Sequence, residues 1–234
     1  GGAHDRASDR LAADHEPLKQ QVNELNQQLV EFYQYKQENA QLKNYLGLKE
    51  NNPDYQFVSA SVINRDPNNL YYTFTLDQGS NAGVKVNDPV ITDQGVVGWV
   101  SQVSAMYCEV TTILSPDTNI SATDKVNRES GTISSNAQLS DQGLIKLGLL
   151  EAGTTVQEGD IIVTSGIGGK FPKDLLIGKA VEVKPEENDV SLYATVEPFV
   201  DIKTVRDVII ITSFNGQGEV ADNTDTNNAS SNGG

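Results

Sequence analysis

The side chains that could perform catalysis are few and poorly placed for it. The 234-residue chain has two histidines, His4 and His15, and one cysteine, Cys108. Ser165 precedes a glycine, as nucleophiles in tight turns do, but a nucleophilic serine needs a base to take its proton. Both histidines precede the strand-rich part of the sequence, so no triad can form there. We interpret Ser165 as a turn residue and Cys108 as a small buried apolar residue.

The sequence predicts no cofactor and no metal site. One cysteine supports neither a disulfide nor a two-thiolate zinc site, and Asp88, Asp93 and Asp117 lack the spacing of a calcium loop. The glycine-rich residues 166–169 precede neither a Lys-Ser/Thr pair nor a helix, so they do not form a phosphate loop. Carboxylates are plentiful, which leaves a glycosidase open, although a single tryptophan disfavours an aromatic-lined cleft.

Charge excludes one class of partner. The chain has 17 Lys+Arg against 32 Asp+Glu, a net charge of −15. Nucleic acid is not a predicted partner, because neutralising phosphates requires a basic surface.

No run of about 18 apolar residues occurs that could span a bilayer or act as a signal sequence. We expect residues 1–10 to be disordered, with residues 1–4 left from cloning.

A long helix must precede the strands. Residues 11–48 are rich in Gln, Glu, Lys and Leu, which favour helix; Pro17 fits the first turn and Gly47 the end. Apolar residues recur at spacings of four and three, the pattern of a coiled coil. After one local shift in spacing the pattern continues. These seam residues are Leu18, Val22, Leu25, Leu29, Phe32, Leu42 and Leu46.

The narrow seam predicts self-association. A narrow apolar stripe needs a matching stripe, and no second helix of this kind occurs in the sequence. We therefore expect a homodimer through the coil, with the seam residues at the dimer interface. The alternatives are pairing with a helix of another protein and a helix that folds back onto its own domain.

From residue 55 the apolar period changes to two. Short β-branched runs bounded by Gly, Pro, Asn or Asp indicate strands, and no intervening segment has a long helical pattern. The predicted fold is mainly β: an N-terminal coiled-coil helix followed by two small antiparallel β-barrel-like domains. We assign residues 55–115 to the first domain and 156–212 to the second, with 117–150 completing either. Residues 215–234 have the composition of a disordered acidic tail.

Several motifs together resemble the rod shape-determining MreC family over about residues 30–212. Their order along the chain makes the resemblance specific. The motifs are the end of the coil, Glu38-Asn39-Ala40-Gln41-Leu42-Lys43-Asn44-Tyr45-Leu46-Gly47-Leu48, and then Val62-Ile63-Asn64-Arg65-Asp66-Pro67, Leu76-Asp77-Gln78-Gly79-Ser80-Asn81-Ala82-Gly83-Val84, Gly95-Val96-Val97-Gly98-Trp99-Val100, Gly159-Asp160-Ile161-Ile162-Val163-Thr164-Ser165-Gly166-Ile167-Gly168-Gly169-Lys170-Phe171-Pro172 and Ile177-Gly178. Relatives often have glycine where this chain has Asp174, a residue that can still adopt left-handed geometry.

The resemblance implies a non-catalytic scaffold of bacterial cell elongation that supports peptidoglycan synthesis and maintains cell shape. It implies a single-pass membrane protein whose transmembrane helix precedes this sequence, with most of the chain outside the cell membrane. The acidic tail and lack of cysteine pairs favour a Gram-positive wall zone over a periplasm. Implied partners are a membrane protein of the shape-determining operon and a penicillin-binding protein.

Three aromatic residues are candidates for exposed partner contacts, and the alternative for each is ordinary packing within the fold: Phe171, Tyr71 and Tyr193. Two other functions stay open at this point. One is a cell-wall hydrolase with a carboxylate pair in the β region. The other is a secretion-system adaptor, which the absence of paired helices and of a lipoyl-like module disfavours.

Overall fold

The structure, a computed structural model, describes residues 2–66, 68 and 72–219. Its first element is helix α1, Gly2–Asn51. Fifty residues at about 1.5 Å each give a helix of about 75 Å. In the part of the chain that the structure describes, no helix combines the length and apolar character needed to cross a membrane.

The helix extends beyond both predicted ends. It begins at Gly2 rather than residue 11, so the prediction of disorder was wrong for residues 2–10, and Pro17 lies inside it. Residues 5–14 contain alanine and leucine, which favour helix and sustain it despite the one backbone hydrogen bond that proline removes.

The predicted end of the helix at Gly47 was also wrong. The helix ends before Asn52, whose backbone and side-chain nitrogens donate to the Leu48 carbonyl oxygen, each over 3.0 Å, and Pro53 follows.

The described residues after Pro53 form twelve strands, one short helix α2 (Ala137–Asp141) and a 3-10 turn at Ser80–Ala82. All pairings are antiparallel, which confirms the predicted fold class. The strands are β1 Gln56–Arg65, β2 Thr73–Leu76, β3 Pro89–Ile91, β4 Val96–Val103, β5 Cys108–Thr112, β6 Ile120–Asp124, β7 Ser130–Ser134, β8 Ile145–Leu150, β9 Ile161–Thr164, β10 Leu176–Pro185, β11 Leu192–Pro198 and β12 Asp207–Ser213.

These strands close into two six-stranded barrels. The order is β1-β12-β3-β4-β5-β2 in the first barrel and β10-β11-β8-β7-β6-β9 in the second. The second barrel is thus an insertion between β5 and β12 of the first. Closure leaves neither barrel with an unpaired edge strand.

The predicted division into domains needs one correction. The assignment of 156–212 to the second domain was wrong for β12, which pairs with β1 (Ser59 opposite Ile209) and with β3 (Ile91 opposite Ile209). Without β12 the first barrel could not close. The strands within 117–150, whose assignment the sequence left open, belong to the second barrel.

Each barrel is filled by its own apolar side chains. Inward-facing residues that are at most 2% exposed include Phe74, Leu76, Val100 and Ile210 in the first barrel and Ile133, Leu147, Ile162 and Ile177 in the second. Gly98 allows close strand packing in the first barrel, because a β-carbon there would lie 2.0 Å from the Thr111 carbonyl oxygen.

The chain does not become disordered at residue 215. The Gly218 N–H donates to the Gly169 carbonyl over 3.0 Å, and Gln217 Nε2 donates to Asp88 Oδ1 over 3.5 Å. The predicted disordered tail was therefore wrong for residues 215–219, because their backbone groups bond to the barrels. Residues 220–234 lie outside the described residues.

Candidate interaction surfaces

The predicted coil residues form an exposed apolar row on α1. Spacings of three and four place them near one helix face, and each side chain is at least half exposed. The exposed fractions are Leu18 55%, Val22 54%, Leu25 63%, Leu29 50%, Phe32 59%, Leu42 63% and Leu46 57%. We call this row the α1 seam. It is apolar surface that another element can cover.

The three predicted partner-contact aromatics differ in placement. Phe171 was predicted to be exposed, and this was wrong: it is only 6% exposed, because its loop packs against the protein. Tyr71 lies outside the described residues. Tyr193, on β11, is partly buried and lies in a groove.

The Tyr193 groove has a volume of about 720 Å³ and runs beside β8, β10 and β11. Lys146 contacts two other residues of the groove. Its Nζ lies 4.6 Å from the Tyr193 ring centre, a cation–π contact, and forms a salt bridge of 2.5 Å with Glu186 Oε1. Leu149 also lines the groove and is 70% exposed. Its φ of 63° is unusual for a residue with a branched side chain. An exposed leucine held in a costly conformation is a candidate contact residue.

The side chains considered above for catalysis, those of Ser165 and Cys108, take part in hydrogen bonding or packing of the fold. Ser165 Oγ accepts from the Ile167 N–H over 3.2 Å, which is a local turn contact. The Ser165 N–H donates to the carbonyl of Ser121 on the neighbouring strand β6 over 3.0 Å. Cys108 is fully buried, and burial raises the pKa of its thiol to about 11. A thiol in this state is a poor nucleophile. Among the described residues, no group of three or more His, Cys, Asp or Glu side chains could hold a metal ion.

A carboxyl pair that sequence reasoning missed lies in the second barrel. Asp124 is 1% exposed, and its Oδ1 accepts from the N–H groups of Val126 and Asn127 over 2.8 and 2.9 Å. Its buried Oδ2 receives no hydrogen bond from another described group. A protonated Asp160 can supply that bond, because the two carboxyl groups lie within hydrogen-bonding reach. Burial, and then the bond and charge of Asp124, raise the pKa of Asp160.

A second buried carboxyl, Asp88, lies in the first barrel. It is 0% exposed, its Oδ2 accepts from the Lys85 N–H over 2.7 Å, and Lys85 Nζ lies 3.8 Å from Oδ1. Burial raises the pKa of Asp88 despite these contacts. Both carboxyls lie at strand ends, where they fix turns. Nothing in the sequence indicates that these carboxyl groups are buried, since aspartate in a turn is ordinarily exposed.

Comparison with known proteins identifies relatives. The family model described as "Rod shape-determining protein MreC, barrel core" matches residues 62–212. The cell shape-determining protein MreC of Listeria monocytogenes is 31% identical over 212 residues, which cover 90% of this chain and 72% of the relative.

Solved structures agree with the sequence comparison. The structure of MreC from Listeria monocytogenes matches with a TM-score of 0.66 at 29% identity, covering 85% of this chain and 98% of the other. A solved complex between penicillin-binding protein (PBP2) and MreC from Helicobacter pylori matches with a TM-score of 0.52 at 13% identity, covering 67% of this chain and 99% of the other. This last likeness concerns the fold.

Proposed function

The chain belongs to the MreC family of rod shape-determining proteins, and we propose that it acts as a dimeric, non-catalytic, extracytoplasmic scaffold of the peptidoglycan-synthesising elongation machinery. The observation that carries the proposal is the α1 seam, an apolar row at least half exposed along its length. Family membership supports the setting, since the relatives are named cell shape-determining proteins.

A second copy of the chain is the proposed occupant of the seam. It carries an identical seam at identical spacing, as coiled-coil packing requires. Burying a large apolar side chain contributes roughly 1.5–3 kcal/mol, of which about half remains to be gained where the residue is half exposed. Four leucines, two from each chain, would then contribute about 4 kcal/mol, or roughly a thousandfold in the dissociation constant.

Sedimentation velocity tests the dimer. We expect the chain to sediment as a dimer and the double variant Leu25→Asp, Leu29→Asp as a monomer. The matched control is Gln27→Asp, Gln34→Asp, which adds the same charge at exposed positions away from the seam. A dimer that survives the leucine substitutions, or that the glutamine substitutions disrupt equally, contradicts the seam assignment.

A penicillin-binding protein is the proposed partner of the barrels. The solved complex of PBP2 with MreC from Helicobacter pylori supports this, because its fold is shared. We propose the Tyr193 groove as the contact, since it offers an aromatic ring and an exposed Leu149 beside charged side chains. A membrane protein of the shape-determining operon is a second proposed partner. Anchoring by a preceding transmembrane helix in a Gram-positive cell completes the proposed setting.

The alternative function, a cell-wall hydrolase, makes a different prediction. The carboxyl pair that the structure brings together is Asp124 and Asp160. Asp124 is 1% exposed, and its side chain already accepts hydrogen bonds from two backbone N–H groups. Such a group is poorly placed to reach a glycan. Incubating the chain with purified peptidoglycan separates the functions, because a hydrolase releases soluble fragments and a scaffold does not.

A further inference from the structure

A small pocket between the two barrels has features of a ligand site. Its volume is about 270 Å³, and its walls come from three places in the sequence. The first barrel contributes Asn87 and Trp99, the connection between the barrels contributes Asp117 and Asn119, and the loop after β9 contributes Lys170. Phe171, which is buried, also lines the pocket.

The polar side chains of this pocket have capacity to bind a ligand. Asn87, Asp117, Asn119 and Lys170 are all exposed, and none of these side chains forms a hydrogen bond or ion pair with another described residue. Elsewhere in the barrels, comparable groups such as Asp88 and Asp124 bond to neighbouring backbone N–H groups. Convergent polar groups that are not used internally, beside an aromatic ring in a concavity, are characteristic of small-molecule sites.

The chemistry of the walls favours a neutral ligand rich in hydroxyl groups. One carboxylate, Asp117, and one ammonium, Lys170, balance each other, so the pocket selects neither an anion nor a cation. The carboxamides of Asn87 and Asn119 each donate and accept hydrogen bonds, as a polyol requires. Trp99 is partly exposed and contributes an apolar ring with a polar edge. A pyranose ring has both properties: one apolar face and a rim of hydroxyl groups.

The volume of the pocket also favours a saccharide. The volume lies just below the range of about 300–1,000 Å³ typical of ligand pockets, which suits one or two sugar rings better than a folded peptide. We propose that this pocket binds a pyranose saccharide, and specifically the N-acetylhexosamine units of a cell-wall glycan. The choice of glycan rests on the proposed function, because a scaffold of peptidoglycan synthesis works beside such strands.

The chain provides its own reporter for a test, because Trp99 is its only tryptophan. We expect chitotriose, a trimer of β-1,4-linked N-acetylglucosamine, to produce a saturable change in intrinsic tryptophan fluorescence. The variants Asp117→Ala and Asn119→Ala should each weaken binding about tenfold, the loss of one hydrogen bond to the ligand. Both positions are exposed, so the variants should fold, and their thermal midpoints check this.

Matched controls separate the outcomes. Asn188→Ala, at an exposed position in the loop between β10 and β11, should bind chitotriose like the parent chain. Trp99→Ala, followed by calorimetry, should lose binding altogether. The proposal is overturned if chitotriose gives no saturable change, if Asp117→Ala and Asn119→Ala bind like the Asn188 control, or if only a stem peptide of alanine, glutamate and lysine elicits the response.

This experiment is independent of the proposed scaffold function. It uses the purified full chain alone, with neither a penicillin-binding protein nor a requirement for a dimer. Failure to bind chitotriose leaves sedimentation and partner binding as they were. Failure of partner binding leaves a measured saccharide affinity intact.

Discussion

Replacing Asp160 by asparagine should stabilise the second barrel at neutral and alkaline pH. Asp124 Oδ2 is buried without a donor, and the deprotonated Asp160 carboxylate beside it can only repel it. An asparagine at position 160 keeps an oxygen that can accept from the Gln157 N–H, which Asp160 Oδ2 now accepts over 2.9 Å. Its amide nitrogen adds the donor that Asp124 lacks.

The expected gain follows from the unmade hydrogen bond. A buried acceptor left without a partner costs roughly 1–3 kcal/mol, so Asp160→Asn should raise the free energy of unfolding by about that amount at pH 8. For a domain of about 150–250 residues, that gain corresponds to about 2–12 °C in the thermal midpoint. The control Asp141→Asn, at an exposed position in α2, should leave the midpoint unchanged.

The gain should depend on pH with a defined sign. The pKa of Asp160 is raised in the folded chain, so the folded state favours the protonated form. The stability that this proton provides is complete below the unfolded pKa of about 3.9 and is lost as pH rises through the folded pKa. Asp160→Asn removes that loss, so its advantage should be large at pH 8 and shrink toward zero in acid.

Thermal unfolding followed by far-UV circular dichroism at several pH values measures this effect. The reasoning is refuted if Asp160→Asn lowers the midpoint at pH 8. It is equally refuted if the gain is the same at acidic and alkaline pH, because the shared proton would then have no role.

Three further predictions concern reactivity, packing and partner binding. Cys108 should react with a thiol reagent at pH 8 only after unfolding, since it is buried and its pKa is raised to about 11; rapid labelling of the native chain would contradict this. Gly98→Ala should lower the free energy of unfolding by at least about 2 kcal/mol in urea titrations, because its β-carbon would lie 2.0 Å from the Thr111 carbonyl oxygen, and an unchanged midpoint would disprove the close contact. Leu149→Gly should relieve about 1 kcal/mol of backbone strain at φ 63°. Both Leu149→Gly and Tyr193→Ala should nevertheless weaken capture of a penicillin-binding protein, and capture by either variant that is unchanged or tighter would exclude the Tyr193 groove as the contact.

The strands and the long helix could be predicted from the sequence because residues close together in the chain determine them. Runs of β-branched residues bounded by turn residues predicted strands, and the composition of residues 11–48 predicted a helix; the structure has both. Asp174, expected to tolerate left-handed geometry, has a φ of 66°.

Features that depend on contacts between residues far apart in the sequence could not be predicted. β12 joins the first barrel through pairs such as Gln56 opposite Ser213, which are 157 residues apart, and no sequence period specifies such a partner. The Asp124 and Asp160 carboxyls meet only because β6 pairs with β9. Phe171 is buried because of the surroundings of its loop, which a Phe-Pro motif alone does not reveal.

The most direct test of the scaffold function is to titrate the full chain with the penicillin-binding protein from the same genome, and then to add purified peptidoglycan. We predict saturable binding by calorimetry and no release of soluble glycan fragments. Absence of binding, or fragment release by the chain alone, would contradict the account.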